Sequence, residues 1–275
     1  MRTAHDAASC LLCALAEDVA KLTTLPHNEP FDPRSVRGRR RWDAEGTFDN
    51  FQQHDVHEAF TKLLLAVNEV DLRAARALGI GPVEEGTSTA HTTPFWKIFG
   101  ALVRQTTRCA SCNRRIVKVE MFTGFSLPLP RTGQPSVEDL LTQFFGDEPL
   151  EDHCACGAPR GSRTKHTELV RGRSPEVLVL QLKRWIWTHR GQRHPEKNPI
   201  HVSYETLLPL PGEAVYELRS VVIHDGPAGS GHYFCYVRGW DNFWYLCNDR
   251  QAPVRQARVE SVLNQRPYML VYEKR

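Results

Sequence analysis

Residues Gly229-Ser-Gly-His232-Tyr-Phe-Cys-Tyr-Val237, followed by Trp244-Tyr-Leu-Cys-Asn248-Asp249, decide how this chain is read. The glycine-rich turn delivers His232 to the first position of a strand with β-branched and aromatic content. A second short strand follows after polar turn residues around Arg238–Asn242. If the two pair as an antiparallel hairpin, Asn248 comes to lie beside His232. A side-chain oxygen at that place can orient an imidazole and fix its tautomer, which is the second half of a Cys-His-Asn/Asp triad. A lone histidine at a strand start is more often structural. The preceding glycines, Gly229 and Gly231, and the amide/acid pair at hairpin distance shift the balance towards chemistry.

Working outward, the texture changes along the chain. Residues 8–23 read as a helix. In residues 52–70, Val56, Phe60, Leu63, Leu64 and Val67 recur at helical spacing. Residues 24–50 and 79–94 are rich in proline, glycine, serine and threonine and read as loops. After Phe95 the pattern is strand-like. The expected strands are Ile98–Arg108, Arg115–Leu129, Val177–Trp187, Tyr216–His224, His232–Val237, Phe243–Cys247 and Tyr268–Glu273. Short helices are expected at Val137–Phe145 and Val259–Gln265. A helical first third before a mostly antiparallel remainder is an α+β arrangement rather than alternating βαβ units.

The 275 residues, 41% of them hydrophobic, suffice for one large domain or two intimate lobes. A net charge of +3, from 35 basic and 32 acidic residues, argues against a nucleic-acid binder. The one basic run, Arg37–Arg41, sits beside Pro33 and reads as a solvated loop. No stretch approaches the roughly 20 apolar residues of a membrane helix. Ala7–Ala16 is followed at once by Glu17 and Asp18, so it reads as part of an amphipathic helix and not as a secretory signal.

Four of the eight cysteines form two tight pairs, Cys109-Ala-Ser-Cys112 and Cys154-Ala-Cys156. Four soft thiolates on turns suit one tetrahedral structural Zn²⁺ in a reducing compartment. The second pair has one spacer residue instead of two, and His153 is an alternative ligand.

Together these segments resemble the ubiquitin-specific protease family of cysteine deubiquitinases. Gln53-His54-Asp55-Val56-His57-Glu58 is similar to the family's Gln-x-Asp-x-x-Glu helix. The four cysteines resemble its zinc-finger ligands, and Val177–Trp185 its strand ending in Leu-Lys-Arg-Phe/Trp. Tyr216–Val237 resembles its histidine box, Trp244–Asp249 its Asn/Asp-Asp segment, and Pro267–Tyr272 its closing strand. The resemblance implies a papain-like fold with a helical thumb-like lobe (8–95) and a β-rich palm with zinc-bearing fingers (96–275), within a single domain (1–275). It implies His232 as general base, Asn248 as the group that orients it and Asp249 as an assisting acid. Asp55 and Glu58 would meet the basic, glycine-ended ubiquitin tail, and Cys109, Cys112, Cys154 and Cys156 would hold zinc. The implied partners are ubiquitin and ubiquitinated proteins, in the cytoplasm and/or nucleus, without nucleic acid or membrane.

The sequence departs from the family at the nucleophile box, which reads roughly Gly-x-x-Asn-x-Cys. Cys10 stands in Ala-Ala-Ser-Cys10-Leu-Leu-Cys13 and lacks the preceding asparagine. Residues 8–23 align better with the helix that follows the box, so the chain is expected to begin just downstream of the nucleophile. Three readings result: a deubiquitinase that in complete form cuts after ubiquitin's C-terminal glycine, a pseudoenzyme that binds ubiquitin without cutting, or a zinc-stapled scaffold with no ubiquitin role.

Overall fold

The structure is a computed structural model that describes residues 11–24, 48, 54–77, 79, 94–187, 195–210, 213–251 and 253–275. Cys10, Gln53 and the basic run at 37–41 lie outside the described residues.

Helix α1 (Leu11–Thr24) buries Leu11, Ala14 and Asp18 along one face and rests on α2 (Val56–Ala77). The start of α2 is set by Asp55. Its Oδ1 accepts the backbone N–H of His57 at 2.7 Å, and its carbonyl accepts that of Ala59 at 3.0 Å, the pattern of an N-cap. The helix outruns the expected 52–70 at its C-terminal end. Leu72 joins Leu64 against Phe95 and Trp96, which makes the extra turns worth forming. Phe95 and Trp96 belong to α3 (Pro94–Phe99), where a strand start was expected at Ile98. Proline suits the first helical position, and the Asp71 carboxylate accepts the Phe95 N–H at 2.8 Å.

Two sheets follow. The smaller has the order β2-β1-β5-β4, with β1 (Ala101–Cys109), β2 (Arg115–Phe122), β4 (Asp147–Leu150) and β5 (Arg163–Leu169) all antiparallel. The larger runs β13-β12-β11-β10-β14-β6-β3, with β9 (Leu207–Pro209) also on β10. Its strands are β3 (Phe125–Pro128), β6 (Val177–Lys183), β10 (Val215–Asp225), β11 (His232–Arg238), β12 (Trp244–Cys247), β13 (Arg255–Ala257) and β14 (Pro267–Lys274).

The expected strand Arg115–Leu129 is two strands in two sheets. Gly124 lies so close to β6 that a Cβ there would sit 2.8 Å from the Val179 carbonyl oxygen, and beyond it β3 pairs with β6 in parallel. The expected strand Val177–Trp187 also divides, into β6 and β7 (Trp185–Ile186), which pairs with β8 (Glu196–Lys197). The break is Arg184, whose buried guanidinium donates to the carbonyls of Pro267 (2.7 Å), Ile200 (2.8 Å) and Asn198 (3.0 Å). Burial, then the nearby Arg266, lowers its pKa to about 10.

The large sheet is covered on both faces. Leu178, Leu180, Leu182, Leu218, Val221 and Leu270 face α4 (Val137–Phe144) and α5 (Val259–Leu263), which contribute Val137, Leu140, Leu141 and Val262. On the other face Val179, Tyr268 and Met269 pack against Val56 and Phe60 of α2. Burial on both faces explains why β6 opens on the continuous apolar run 177–180. No helix among the described residues is long and apolar enough to cross a membrane.

Candidate functional site

The hairpin β11–β12 pairs Cys235 with Cys247 and Arg238 with Trp244, and Gly239 N–H closes on the Phe243 carbonyl at 2.8 Å. This register carries Asn248 to His232, where Asn248 Oδ1 lies 2.9 Å from His232 Nε2. The same Oδ1 accepts the Arg250 backbone N–H at 3.0 Å, so it must be the oxygen of the amide. Nε2 therefore carries the proton of the neutral ring, and Nδ1 keeps the lone pair of a base. Asp249 Oδ1 stands 3.2 Å from the same Nε2, on a largely exposed side chain. Nδ1 meets no partner among the described residues.

The turn that presents His232 is tightly held. A Cβ on Gly231 would fall 2.1 Å from His224 Nε2, so only glycine fits there. Lys197 Nζ donates to the carbonyls of His224 (2.7 Å) and Gly226 (3.0 Å) and ties down the start of the turn. His224 is buried between Trp185 and Tyr233, with ring centroids 4.8 and 4.7 Å away, and interacts electrostatically with both Asp55 and His232.

Burial, then the Lys197 ammonium, holds the His224 pKa down to about 4, so the ring is neutral in the fold. An unfolded histidine takes up a proton from about pH 6.5 downward, whereas the folded one resists until about pH 4. This group's contribution is complete above the higher value and is lost as pH falls to the lower, on the order of 3 kcal/mol. The denaturation midpoint of the protein is expected to fall more steeply between pH 6.5 and 4 than that of His224→Gln. Equal slopes in the two proteins would contradict this assignment.

Asp55 caps α2 with one oxygen, and its Oδ2 accepts Trp185 Nε1 at 3.0 Å and the Tyr268 hydroxyl. The carboxylate thus joins helix α2 to β7 and β14. Glu58, one turn along, is exposed and pairs only loosely with Lys62 at 3.7 Å. Trp185, Tyr233, Tyr268, His224 and Lys197 were not marked as site residues in the sequence. Trp185 had a signal, as the end of the Leu-Lys-Arg-Trp run. Tyr268 had none, because its partner Asp55 is 213 residues away.

The second cluster is at the far end of the small sheet. Cys109 and Cys112 flank the β1–β2 turn, where Asn113 adopts φ 55°. Cys154 and Cys156 lie in the β4–β5 loop, where Gly157 adopts φ 80°. The four sulfurs all lie within 4.8 Å of one another. Cys109–Cys156 is 3.9 Å and Cys112–Cys154 is 3.7 Å. Backbone N–H groups of Cys112 and then Ser111 point at Cys109 and, against its burial, lower its pKa to about 6. Against the pull of the Ala158 N–H, the neighbouring sulfurs of Cys154 and Cys112 push Cys156 up to about 12. His153 is not in the cluster; its Nε2 accepts Arg160 Nε at 3.1 Å.

Of the remaining cysteines, Cys13 is half-buried on α1. No helix N-terminus activates Cys235 or Cys247, but Cys247 has another cause: a bond from the Cys235 thiol lowers it to about 7, against burial. Cys247 stands opposite Cys235, which lies three residues from His232 on β11 and so on the other face, and this thiol does not face His232.

Helices on a β-rich core, with a four-cysteine cluster at the tip of a separate sheet, define a deubiquitinase-family domain. The profile described as ubiquitin carboxyl-terminal hydrolase matches residues 1–272, and the chain belongs to that family. It is 25% identical over 273 residues to the probable ubiquitin carboxyl-terminal hydrolase 8 of Schizosaccharomyces pombe, covering 97% of this chain and 56% of that protein. It is 27% identical over 276 residues to ubiquitin carboxyl-terminal hydrolase 23 of Arabidopsis thaliana, covering 98% and 31%. The chain thus spans only about a third to a half of these relatives. In fold it is similar to Ubp8 in the SAGA DUB module Ubp8/Sgf11/Sus1/Sgf73 bound to monoubiquitin, with TM-score 0.75, 20% identity and coverage of 98% and 60%. A yeast SAGA DUB module structure gives TM-score 0.76 at 22% identity, covering 98% and 59%.

Proposed function

We propose that this domain binds ubiquitin between its helical part and its large sheet, with the ubiquitin tail passing Asp55 and Glu58 towards His232. The observation that carries this reading is the His232–Asn248 contact, which fixes a base with its Nδ1 lone pair free. A thiol placed beside Nδ1 would give up its proton there, and the thiolate would attack the isopeptide carbonyl after ubiquitin's terminal glycine. The imidazolium, bonded to Asn248 and Asp249, would then hand the proton to the departing lysine amine. No Asn-x-Cys box stands in this sequence to supply that thiol. The complete reaction therefore belongs to a form of the site that has one, and binding without cutting is the second reading.

The cysteine cluster is read as a structural zinc site. Four thiolates at the usual zinc–sulfur length of 2.3 Å would have sulfurs about 3.8 Å apart, and Cys109–Cys156 and Cys112–Cys154 stand at 3.9 and 3.7 Å. Four protein ligands leave no open position for catalysis.

Calorimetry with ubiquitin tests the binding reading. Wild-type protein is expected to bind, and Glu58→Arg to weaken binding about tenfold, roughly 1.4 kcal/mol, by reversing one exposed charge. Asp55→Asn keeps an oxygen for the helix cap and removes the charge. It is expected to weaken binding further, with a melting temperature measured alongside because Asp55 also joins α2 to the sheet. Absence of binding by the wild type at high micromolar concentration would count against the proposal.

A further inference from the structure

The two half-buried thiols of Cys235 and Cys247 have no place in the proposed mechanism. They stand directly opposite each other in the antiparallel register of β11 and β12. Directly opposed residues in such a pair have Cα atoms roughly 4.5–5.5 Å apart and side chains on one face. Disulfides span Cα separations of about 4.4–6.8 Å, so the Cα spacing of such a pair lies within a disulfide's reach and a small closing of the Cβ atoms joins the two. The face is the one opposite His232. His232, Phe234 and Tyr236 alternate with Tyr233, Cys235 and Val237, and the rings of His232 and Phe234 stack on their side at 6.4 Å.

We propose that Cys235 and Cys247 are a modification site, a reversible cross-strand disulfide formed by exchange with a small disulfide such as glutathione disulfide, which clamps the hairpin carrying His232 and Asn248. The thiolate of Cys247 attacks one sulfur of glutathione disulfide, forms a mixed disulfide and expels one glutathione thiolate. Cys235 then loses its proton to solvent and attacks the Cys247 sulfur, expelling the second glutathione thiolate. The two protein thiols are oxidised and one glutathione disulfide is reduced to two glutathiones.

The order follows from the environment. Cys247 is poised near neutrality because the Cys235 S–H bonds to it. Cys235 is pushed up, first by that same bond and then by burial. Once Cys247 is in the mixed disulfide its charge is gone, and the largest cause holding Cys235 protonated goes with it. Neither thiol touches the His232–Asn248 contact, so oxidation leaves those groups chemically intact while tying their strands together. The inference rests on the hairpin geometry and stands apart from the ubiquitin reading.

The test uses the full chain with zinc present, so that the four finger thiols are held by metal. After treatment with glutathione disulfide and alkylation of free thiols, peptide mapping is expected to show Cys235 joined to Cys247, with reduced glutathione reversing the bond. Cys235→Ser should trap a stable glutathione adduct on Cys247, and Cys247→Ser should leave Cys235 unmodified. Amide exchange in β11 and β12 should slow on oxidation of the wild type and not of Cys235→Ser. Both thiols remaining free would overturn the proposal, as would a stable mixed disulfide on wild-type Cys247. Unchanged exchange in the cross-linked protein would overturn the clamp.

Discussion

Removal of metal from Cys109, Cys112, Cys154 and Cys156 is expected to unravel the four-stranded sheet while the eight-stranded sheet stands. The reason is the scarcity of other support at its tip. From Arg115 to Glu120 every residue of β2 is exposed, including Ile116, Val117 and Val119. Among the described residues the only buried cluster near the tip is Cys109, Cys154 and Ala158, two of which belong to the proposed metal site themselves. Pairs such as Arg104–Glu168 at 2.9 Å are half-exposed and contribute little. Structural zinc sites contribute on the order of 10–16 kcal/mol of apparent binding energy, which at the proposed site would be folding energy of the fingers. Elemental analysis should find one zinc per chain. Hydrogen exchange after chelation should show β1, β2, β4 and β5 losing protection near the tip while β6, β10 and β14 keep theirs. A chelator-washed protein that never held zinc, or fingers that stay protected without it, would refute this.

The second large effect is in reactivity. The 275-residue chain is expected to form no adduct with ubiquitin bearing a C-terminal electrophile. A base without its nucleophile loses the covalent step, and removing the nucleophile of a comparable triad costs roughly 10⁶-fold in turnover. The described thiols do not supply a substitute. Cys247 is the most acidic thiol near the hairpin but faces away from His232. Cys13 lies within helix α1. The contrary outcome is specific: an adduct on Cys10, abolished by Cys10→Ala and weakened by His232→Ala, would make this chain a complete enzyme. Mass spectrometry of the intact protein and its peptides separates the two.

What could be read in the sequence, and what could not, divides by the range of the interaction. His232 and Asn248 were legible because a tight hairpin converts a sequence offset into a spatial one, here 16 residues into 2.9 Å. The clustering of the four cysteines was legible in their pairs because short turns bring sulfurs together, and even the one-spacer pair joins the cluster. Strands β4 and β5 were not expected, since Asp147–Leu150 and the polar run Arg163–Leu169 carry no apolar period. The divisions at Gly124 and Arg184 were hidden for a different reason. Each depends on a remote strand or carbonyl, and apolar residues resume directly after the polar break at both. The ring of groups around Asp55 was invisible too, because its members come from four separate stretches.

The Asp55 junction also bears on when this cleft comes into being during folding. Its carboxylate meets an indole 130 residues onward and a phenol 213 residues onward. Contacts of such separation pay their loop-closure entropy only after the intervening sheets have condensed, so they form late. The chain's first described helices must therefore wait for its last strand before the cleft acquires its shape. A partly made or partly unfolded molecule would lack the cleft even with its hairpin and fingers in place, and recognition at this surface would report that the whole domain has assembled.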